Sequence, residues 1–253
     1  MYYTINMNKT RLSKNEFYGN VWAKLLKENA AVFRRGDIVA AGVSGGADSV
    51  AMLHFLKKLS EKNRFALYAC HVNHNLRKNA ARDEKFTQKF CENLGVECLV
   101  YQADVKKTAR EYNLSAEHAA RKARYAAFEK ACAKKNANFL ALAHHADDNA
   151  ETVLLNILRG TKAKGLAGIT ARRPLNKTVT LVRPLLGVRR KDIENYVKFN
   201  KLKFVTDETN LRENFTRNWV RRRLLPMLEK KQPKVREHLN MISEDLSKLY
   251  ENR

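Results

Sequence analysis

The chain has only four cysteines in 253 residues, and Cys70, Cys91, Cys98 and Cys132 make no C-x-x-C pair. That spacing excludes the usual thiol-ligated zinc and iron–sulfur sites and reads as small core residues of a reducing compartment. No apolar run approaches the roughly 20 residues needed to span a bilayer; candidates such as Phe65 to Cys70 are far shorter, so no membrane is expected. The opening stretch MYYTINMNKTRLSKNE lacks an apolar centre. A secretory leader is therefore not expected, and a cytoplasmic location is. No fixed-period repeat and no low-complexity linker is visible. Acidic residues are scarce, 26 Asp+Glu against 49 Lys+Arg, for a formal charge of +23 and a pI near 10.0. From Ile157 to Lys191 there are ten Lys or Arg and no Asp or Glu at all.

A surface this basic attracts polyanions and gains affinity by releasing their counterions. The competing account is a solvated, Lys-rich face. Solvated faces usually mix their signs, so the acid-free segment favours a nucleic-acid partner. A hydrophobic content of 44% with 9% aromatics is ordinary for a globular chain and excludes wholesale disorder.

Apolar runs alternate with helical periods. Short runs at 37–43, 65–72, 96–102, 137–143 and 179–185 read as five strands. Helical spacing marks residues 17–33, the stretch after Ser49, and a stretch around Phe86, Phe90 and Leu94 that Gly95 stops. Further helices are expected over 104–113, 115–136, 147–159 and 189–200, with Ser115 as a cap. Strands alternating with helices imply parallel βαβ units. The expected fold is α/β, an open, mostly parallel five-stranded sheet with helices on both faces. From about residue 201 the alternation gives way to a basic helical extension. The resulting division is an N-terminal helical extension over 1–36, an α/β domain over 37–200 and a basic helical subdomain over 201–253.

Ser44-Gly45-Gly46-Ala47-Asp48-Ser49 joins the first strand to a helix. Glycines let the backbone approach a ligand, and a helix N-terminus offers free N–H groups and positive dipole. No Lys-Ser/Thr follows, so this is not a Walker A loop, and no G-x-G-x-x-G is present. The segment resembles the pyrophosphate-binding loop of the ATP pyrophosphatase (PP-loop) superfamily, whose fold is adenine-nucleotide α-hydrolase-like. Asp48 is a carboxylate in an anion-seeking loop, which suits a magnesium ion between it and phosphate, or a helix cap with no metal.

The second strand ends in His71-Val72-Asn73-His74-Asn75-Leu76-Arg77. The fourth ends in a run from Ala143 to Leu155 that contains His144, His145, Asp148 and Glu151, and Arg159-Gly160 follows. In an open parallel sheet, ligands sit beyond the carboxyl ends of strands, so both motifs should meet the Ser44 loop. Together with Arg183 to Leu186, Asp207 to Asn210 and Thr216 to Pro226, in that order, they resemble the tRNA(Ile)-lysidine synthase family over roughly residues 37–228. Asn75 stands where the family usually has Gly; Asn tolerates a left-handed backbone, so the turn is expected to survive.

The resemblance implies ATP and Mg2+, free L-lysine, and a tRNA(Ile) with a CAU anticodon as substrate. ATP would adenylate the C2 oxygen of the wobble cytidine, and lysine would attack C2 and displace AMP to give lysidine, changing decoding from AUG to AUA. Carried over by position, Ser44, Gly45, Gly46, Ala47, Asp48, Ser49, His71, His74 and Arg77 bind the nucleotide. Asp48, Asp148, Glu151 and Arg217 are the catalytic set, with Asp48 and Asp148 as metal ligands. Asp148 and Glu151, three apart on one helix face, suit either metal or the lysine amine. Arg221, Arg222 and Arg223 are expected at phosphates or in solvent, and Trp219 in the core. A homodimer stays open. Two other readings remain: a PP-loop synthetase of small amides, which leaves the +23 charge unexplained, and a non-catalytic RNA-binding module, which leaves the acidic set unexplained.

Overall fold

A computed structural model describes Leu25 and residues 32–74, 79–206 and 216–251. Most of the expected helix over 17–33, together with Arg77, Asn75 and the Asp207–Asn210 motif, lies outside the described residues. The strands are β1 (Ile38–Gly42), β2 (Ala66–Asn73), β3 (Glu97–Gln102), β4 (Phe139–Ala141), β5 (Arg172–Pro174) and β6 (Thr180–Val182). They form one sheet in the order β3-β2-β1-β4-β6-β5. Every pairing is parallel except β5 with β6.

The sheet thus has six strands rather than five. The additional one, β5, reads Arg-Arg-Pro and carries no apolar alternation, so sequence periodicity cannot find it. Its place explains its composition: Arg and Pro on an edge strand discourage pairing with another chain.

Helices cover both faces. On one lie α1 (Ala47–Asn63), α2 (Ala80–Asn93) and α7 (Arg190–Phe199), around a core of Phe33, Met52, Phe55, Leu56, Leu59 and Ile193. On the other lies α4 (Ala116–Lys135), whose Phe128, Ala131 and Cys132 pack on Ala40, Leu140 and Leu181. Each fully buried Phe or Leu contributes roughly 1.5–3 kcal/mol. The short α3 (Val105–Tyr112) precedes α4, capped by Asp104, and Ser115 accepts the backbone N–H of His118 to cap α4 as expected. Gly42 ends β1 where a Cβ would lie 2.7 Å from Leu142 Cδ2 and 2.8 Å from Phe128 Cζ.

Past β4 come α5 (Ala146–Leu158) and the single turn α6 (Ala163–Leu166). The basic C-terminal stretch is helical among the described residues. It comprises α8 (Thr216–Trp219), a π-helical turn (Val220–Leu224), α9 (Leu225–Lys231) and α10 (Val235–Glu251). A third apolar cluster joins Ala150, Val153 and Leu154 of α5 to Val220, Leu225 and Leu239. Trp219, expected in the core, is instead 44% exposed, because Val220 takes the inward position beside it.

Polar side chains dock α10 on α5. Asn149 donates through Nδ2 to Asn240 Oδ1 at 2.8 Å and to Ser243 Oγ at 3.0 Å, and its Oδ1 accepts the Ile169 N–H at 2.7 Å. Ser243 Oγ donates to the Ala167 carbonyl at 2.7 Å. Gly168 closes this contact at φ +63°, where a Cβ would lie 2.3 Å from Asn149 Oδ1 and 2.7 Å from Ser243 Oγ. Gly168→Ala should therefore lose roughly 1–3 kcal/mol of stability in urea unfolding. Gly95, at φ +62° with open space around it, supplies the control: Gly95→Ala carries only the backbone penalty. Equal losses at the two positions would refute the packing account.

Candidate active site

Ser44 to Ser49 lies between β1 and α1, at the carboxyl end of the central strand. Its shape is held from within. Ser49 Oγ donates to the Gly46 carbonyl at 2.9 Å and accepts the Ser44 N–H at 3.2 Å, and the Gly46 N–H reaches Ser44 Oγ at 3.4 Å. Gly45 sits at φ +87°, with the Val205 N–H on its carbonyl at 2.9 Å and Thr87 Oγ1 2.9 Å from where a Cβ would be. Gly46 differs: it caps α1 in extended conformation with no side-chain cap, and a Cβ there would meet Ser44 Oγ at 3.6 Å and the Val205 carbonyl at 4.0 Å, ordinary contacts. The start of α1 therefore keeps backbone N–H groups that no side chain caps, the kind of helix end that receives anions. His71 braces the loop from below, its Nδ1–H donating to the Val43 carbonyl at 2.8 Å, and is buried. His74 follows β2 and is half-buried.

The α5 N-terminus comes to the same crevice. His145 caps it: Nδ1 accepts the Asp148 N–H at 3.3 Å, while Asp148 Oδ2 accepts the His145 N–H at 3.2 Å. An Nδ1 that accepts leaves the ring proton of the neutral form on Nε2. That atom lies 3.4 Å from Asp148 Oδ2 and 3.8 Å from Asp48 Oδ2, so one imidazole bridges the two carboxylates. Sequence spacing alone does not assign His145 this role.

Glu151, one turn on, is 1% exposed. Arg221 holds it with Nε at 2.6 Å and Nη2 at 2.9 Å, and Arg217 Nε adds a bond at 3.1 Å. Both arginines also reach Asp148 Oδ1, at 3.3 Å and 3.2 Å. Burial pushes the Asp148 carboxyl up, but His145 and Arg217 outweigh it and hold the group below its ordinary value. Arg221 was expected at phosphate or in solvent; it is instead bound bidentately inside the site. Its spacing four residues after Arg217, on one helix face, was the available signal.

Asp48 completes the crevice. Its Oδ2 contacts Arg190 Nη1, and its buried Oδ1 has no hydrogen-bond partner. Burial is the dominant influence and raises this carboxyl despite His145 and Arg190. Arg190 begins α7, and Asp147 Oδ2 accepts its backbone N–H at 2.7 Å, a cap supplied from 43 residues away. Asp147 Oδ1 pairs with Arg236 at 3.1 Å, tying α7, α5 and α10 together. No sequence signal marked Arg190. Beside this set, Arg183 Nε donates to His144 Nδ1 at 3.4 Å, and burial with the nearby Arg183 charge pushes His144 down to about 4. Among the described residues no group of three or more His, Cys, Asp or Glu is disposed to hold a metal.

A family model described as a PP-loop domain matches residues 19–228. The chain is 40% identical over 225 residues to tRNA(Ile)-lysidine synthase of Clostridium perfringens, covering 88% of this chain and 47% of that protein. The tRNA(Ile)-lysidine synthase of Clostridium acetobutylicum is 41% identical over 204 residues, 80% of this chain and 43% of that one. The chain thus spans about half the length of the curated relatives it matches. In fold it is similar to the U34-tRNA thiolase NcsA from Methanococcus maripaludis, solved with its 4Fe-4S cluster. The TM-score is 0.77 at 22% identity, covering 92% of this chain and 79% of that one.

The double pairing of Glu151 has an energetic consequence. Arg221→Met leaves a buried carboxylate with half its partners and should cost roughly 2–4 kcal/mol, less than a fully buried pair because the guanidinium is part-exposed. Adding Glu151→Gln should recover part of that loss, giving a coupling above about 0.5 kcal/mol in a double-mutant cycle followed by urea unfolding. Simple additivity would show that the contact carries no such energy.

Proposed function

The chain belongs to the PP-loop family, and from that membership we propose that it ligates lysine to a tRNA. The C2 oxygen of the wobble cytidine, in tRNA(Ile) with a CAU anticodon, attacks the α-phosphate of ATP, which forms the adenylated tRNA and releases pyrophosphate. The ε-amine of free L-lysine then attacks C2 and expels AMP, leaving lysidine. The observation that carries this reading is the meeting of Asp48 with Asp148, Glu151 and Arg217 beside an uncapped helix end, in a chain so similar to lysidine synthases.

The roles follow from charge. The loop from Ser44 to Ser49 receives the triphosphate on its backbone N–H groups and hydroxyls, with His71 bracing it through the Val43 carbonyl and His74 joining the nucleotide set by family resemblance. Arg77, in the same motif, belongs to the nucleotide set by family resemblance alone. The orphaned Oδ1 of Asp48 fits a cation, and Mg2+ is commonly held by one or two carboxylates plus substrate phosphates. Asp48 and Asp148 are the residues that would hold it, and when bound it neutralises charge on the departing pyrophosphate. Without ligands, Arg190, Arg217 and Arg221 neutralise Asp48, Asp148 and Glu151. An incoming lysine ammonium replaces part of that positive charge at Asp148 and Glu151, which frees Arg217 to turn toward the adenylated base. Free lysine has a pKa near 10.4 and arrives protonated. A carboxylate of this pair receives its proton as the carbon–nitrogen bond forms.

The direct test is incubation with ATP, radiolabelled lysine and the CAU tRNA, followed by counting of acid-precipitable RNA. Label in RNA is the expected result; its absence with an active ATP site rejects the reading. Nucleotide products should be AMP and pyrophosphate, never ADP.

Asp48→Asn should slow ATP cleavage by about 100- to 1,000-fold. Its stability should move the other way. The folded value of Asp48 lies above 3.8, so stability from this group is present below 3.8 and lost as pH rises through the folded value. Near neutrality the ionised carboxylate is therefore a liability, and ligand-free Asp48→Asn should melt no lower than the parent. A marked drop in melting temperature would contradict this.

Glu151→Gln should still form the adenylated tRNA, trapped with labelled ATP, while transferring lysine very slowly. Loss of adenylation with retained lysine transfer to preformed intermediate would assign Glu151 to the metal instead.

A further inference from the structure

Four guanidinium groups gather on the α4 side of the crevice, and among the described residues no carboxylate pairs with them. Arg121 Nη2 donates to the Tyr125 hydroxyl at 3.4 Å, and its Cζ stands 5.1 Å from the centre of that ring. Arg173, from β5, brings its Cζ to 5.6 Å from the same ring. Arg183, following β6, is 8% exposed and donates to the Thr170 carbonyl at 2.5 Å and to His144. Arg124 lies one residue before Tyr125 on the same helix, half-buried. Among the described residues, none of these four arginines has a carboxylate within ion-pair distance.

Such a cluster is costly in isolation. Buried charges are ordinarily paired, and like charges held together repel. Burial and then the neighbouring Arg121 hold Arg124 below its ordinary value. Burial likewise lowers Arg183, with Arg173 and Arg121 adding to it. Burial pushes the Tyr125 phenol up, yet the surrounding arginines outweigh it and pull it down. Tyr125 is the aromatic ring that Arg121 and Arg173 share, while the Thr170 and Pro174 carbonyls accept from Arg183 and Arg173. Two planar guanidiniums braced against one ring keep their donors oriented, the arrangement suited to a bidentate phosphate contact.

We propose that Arg121, Arg124, Arg173 and Arg183 around Tyr125 form a seat for an RNA phosphodiester next to the reacting nucleotide. This rests on the reading of the substrate as tRNA. Position separates the seat from the triphosphate: the nucleotide loop and Arg190 lie at α1, whereas the nest reaches the site through Arg183 and His144, the residue before the bridging His145. The nest also opens onto the segment from Ile157 to Lys191, which holds no acidic residue and supplies two of its four arginines. An RNA strand laid along that segment brings one phosphate to the nest and the adjoining base to Asp148 and Arg217.

The test measures binding of a CAU tRNA transcript and of its isolated anticodon stem–loop across a range of salt. The proteins are the parent, Arg121→Gln, Arg173→Gln and the double variant, each checked by thermal melting. Each lost contact should lower the slope of log K against log salt by roughly 0.7–0.9, equally for both RNAs. Arg121→Lys should restore the slope, since it restores the charge. ATP affinity, followed with a fluorescent analogue, should stay at the parental value. Folded variants with the parental slope would overturn the proposal. So would a loss confined to the full tRNA, or a fall in ATP affinity, which would assign the seat to the nucleotide. A parent that binds ATP but neither RNA would reject the tRNA reading itself, a result distinguishable from failure of the seat alone.

Discussion

A carboxylate taken out of water must be paired, and the burial of Glu151 at the heart of the crevice imposes that requirement on everything around it. Arg217 and Arg221 meet it from the helical run that starts at α8, so the C-terminal stretch has to lie over α5. A π-helical turn begins at Val220, between the two arginines, and its Leu225 N–H bonds the Val220 carbonyl five residues back. Irregular helical turns of this kind recur at functional sites, where they re-aim side chains. Here the turn accompanies an arrangement in which two arginines on one helix reach one carboxylate. The same two guanidiniums also reach Asp148, so the acids and the arginines form one network rather than separate pairs.

Polar contacts extend this constraint outward. Asp147 caps α7 and pairs with Arg236 of α10, while Asn149 carries three hydrogen bonds that fix α10 and the loop after α6. Four consecutive residues therefore have four different duties: His145 bridges, Ala146 packs, Asp147 joins elements and Asp148 faces the crevice. A helix directs successive side chains about 100° apart, which makes this possible at a helix start where backbone N–H groups also need partners. The opposed shifts of Asp48 and Asp148 arise in the same few ångströms. Asp48 keeps an oxygen with no partner and is raised by burial, whereas Asp148 is surrounded by His145 and arginine charge and is lowered. Among the described residues the acids and arginines of the crevice balance in charge, while Asp48 Oδ1 has no hydrogen-bond partner and the α1 start has no side-chain cap.

Much of this was legible before the fold was known. The five expected strands were short apolar runs, a pattern that buried parallel strands produce on their own, and each of them is a strand of the sheet. The cap at Ser115 and the stop at Gly95 followed from local backbone chemistry. The edge strand β5 was invisible because Arg-Arg-Pro has no periodicity and forms a strand only by pairing with β6. Trp219 was assigned to the core from its apolar ring, but which of two adjacent helical residues turns inward depends on the facing helix, and α5 selected Val220. Arg221 and Arg190 looked like members of a basic surface. Their partners lie 70 and 142 residues away, so nothing local distinguished them from their neighbours.

What the sequence determined by itself was the sheet's parallel core, the conformation of the loop from Ser44 to Ser49 and the identity of the acids at Asp48, Asp148 and Glu151. These depend on burial period, on glycine's access to positive φ and on residue type, all of which are encoded within a few positions. The tertiary structure decided how those acids are neutralised, which histidine bridges them, and where uncompensated arginine charge collects. Ion pairing and desolvation act across the chain rather than along it, and their outcome depends on distances that exist only after α5, α7 and the C-terminal helices have packed.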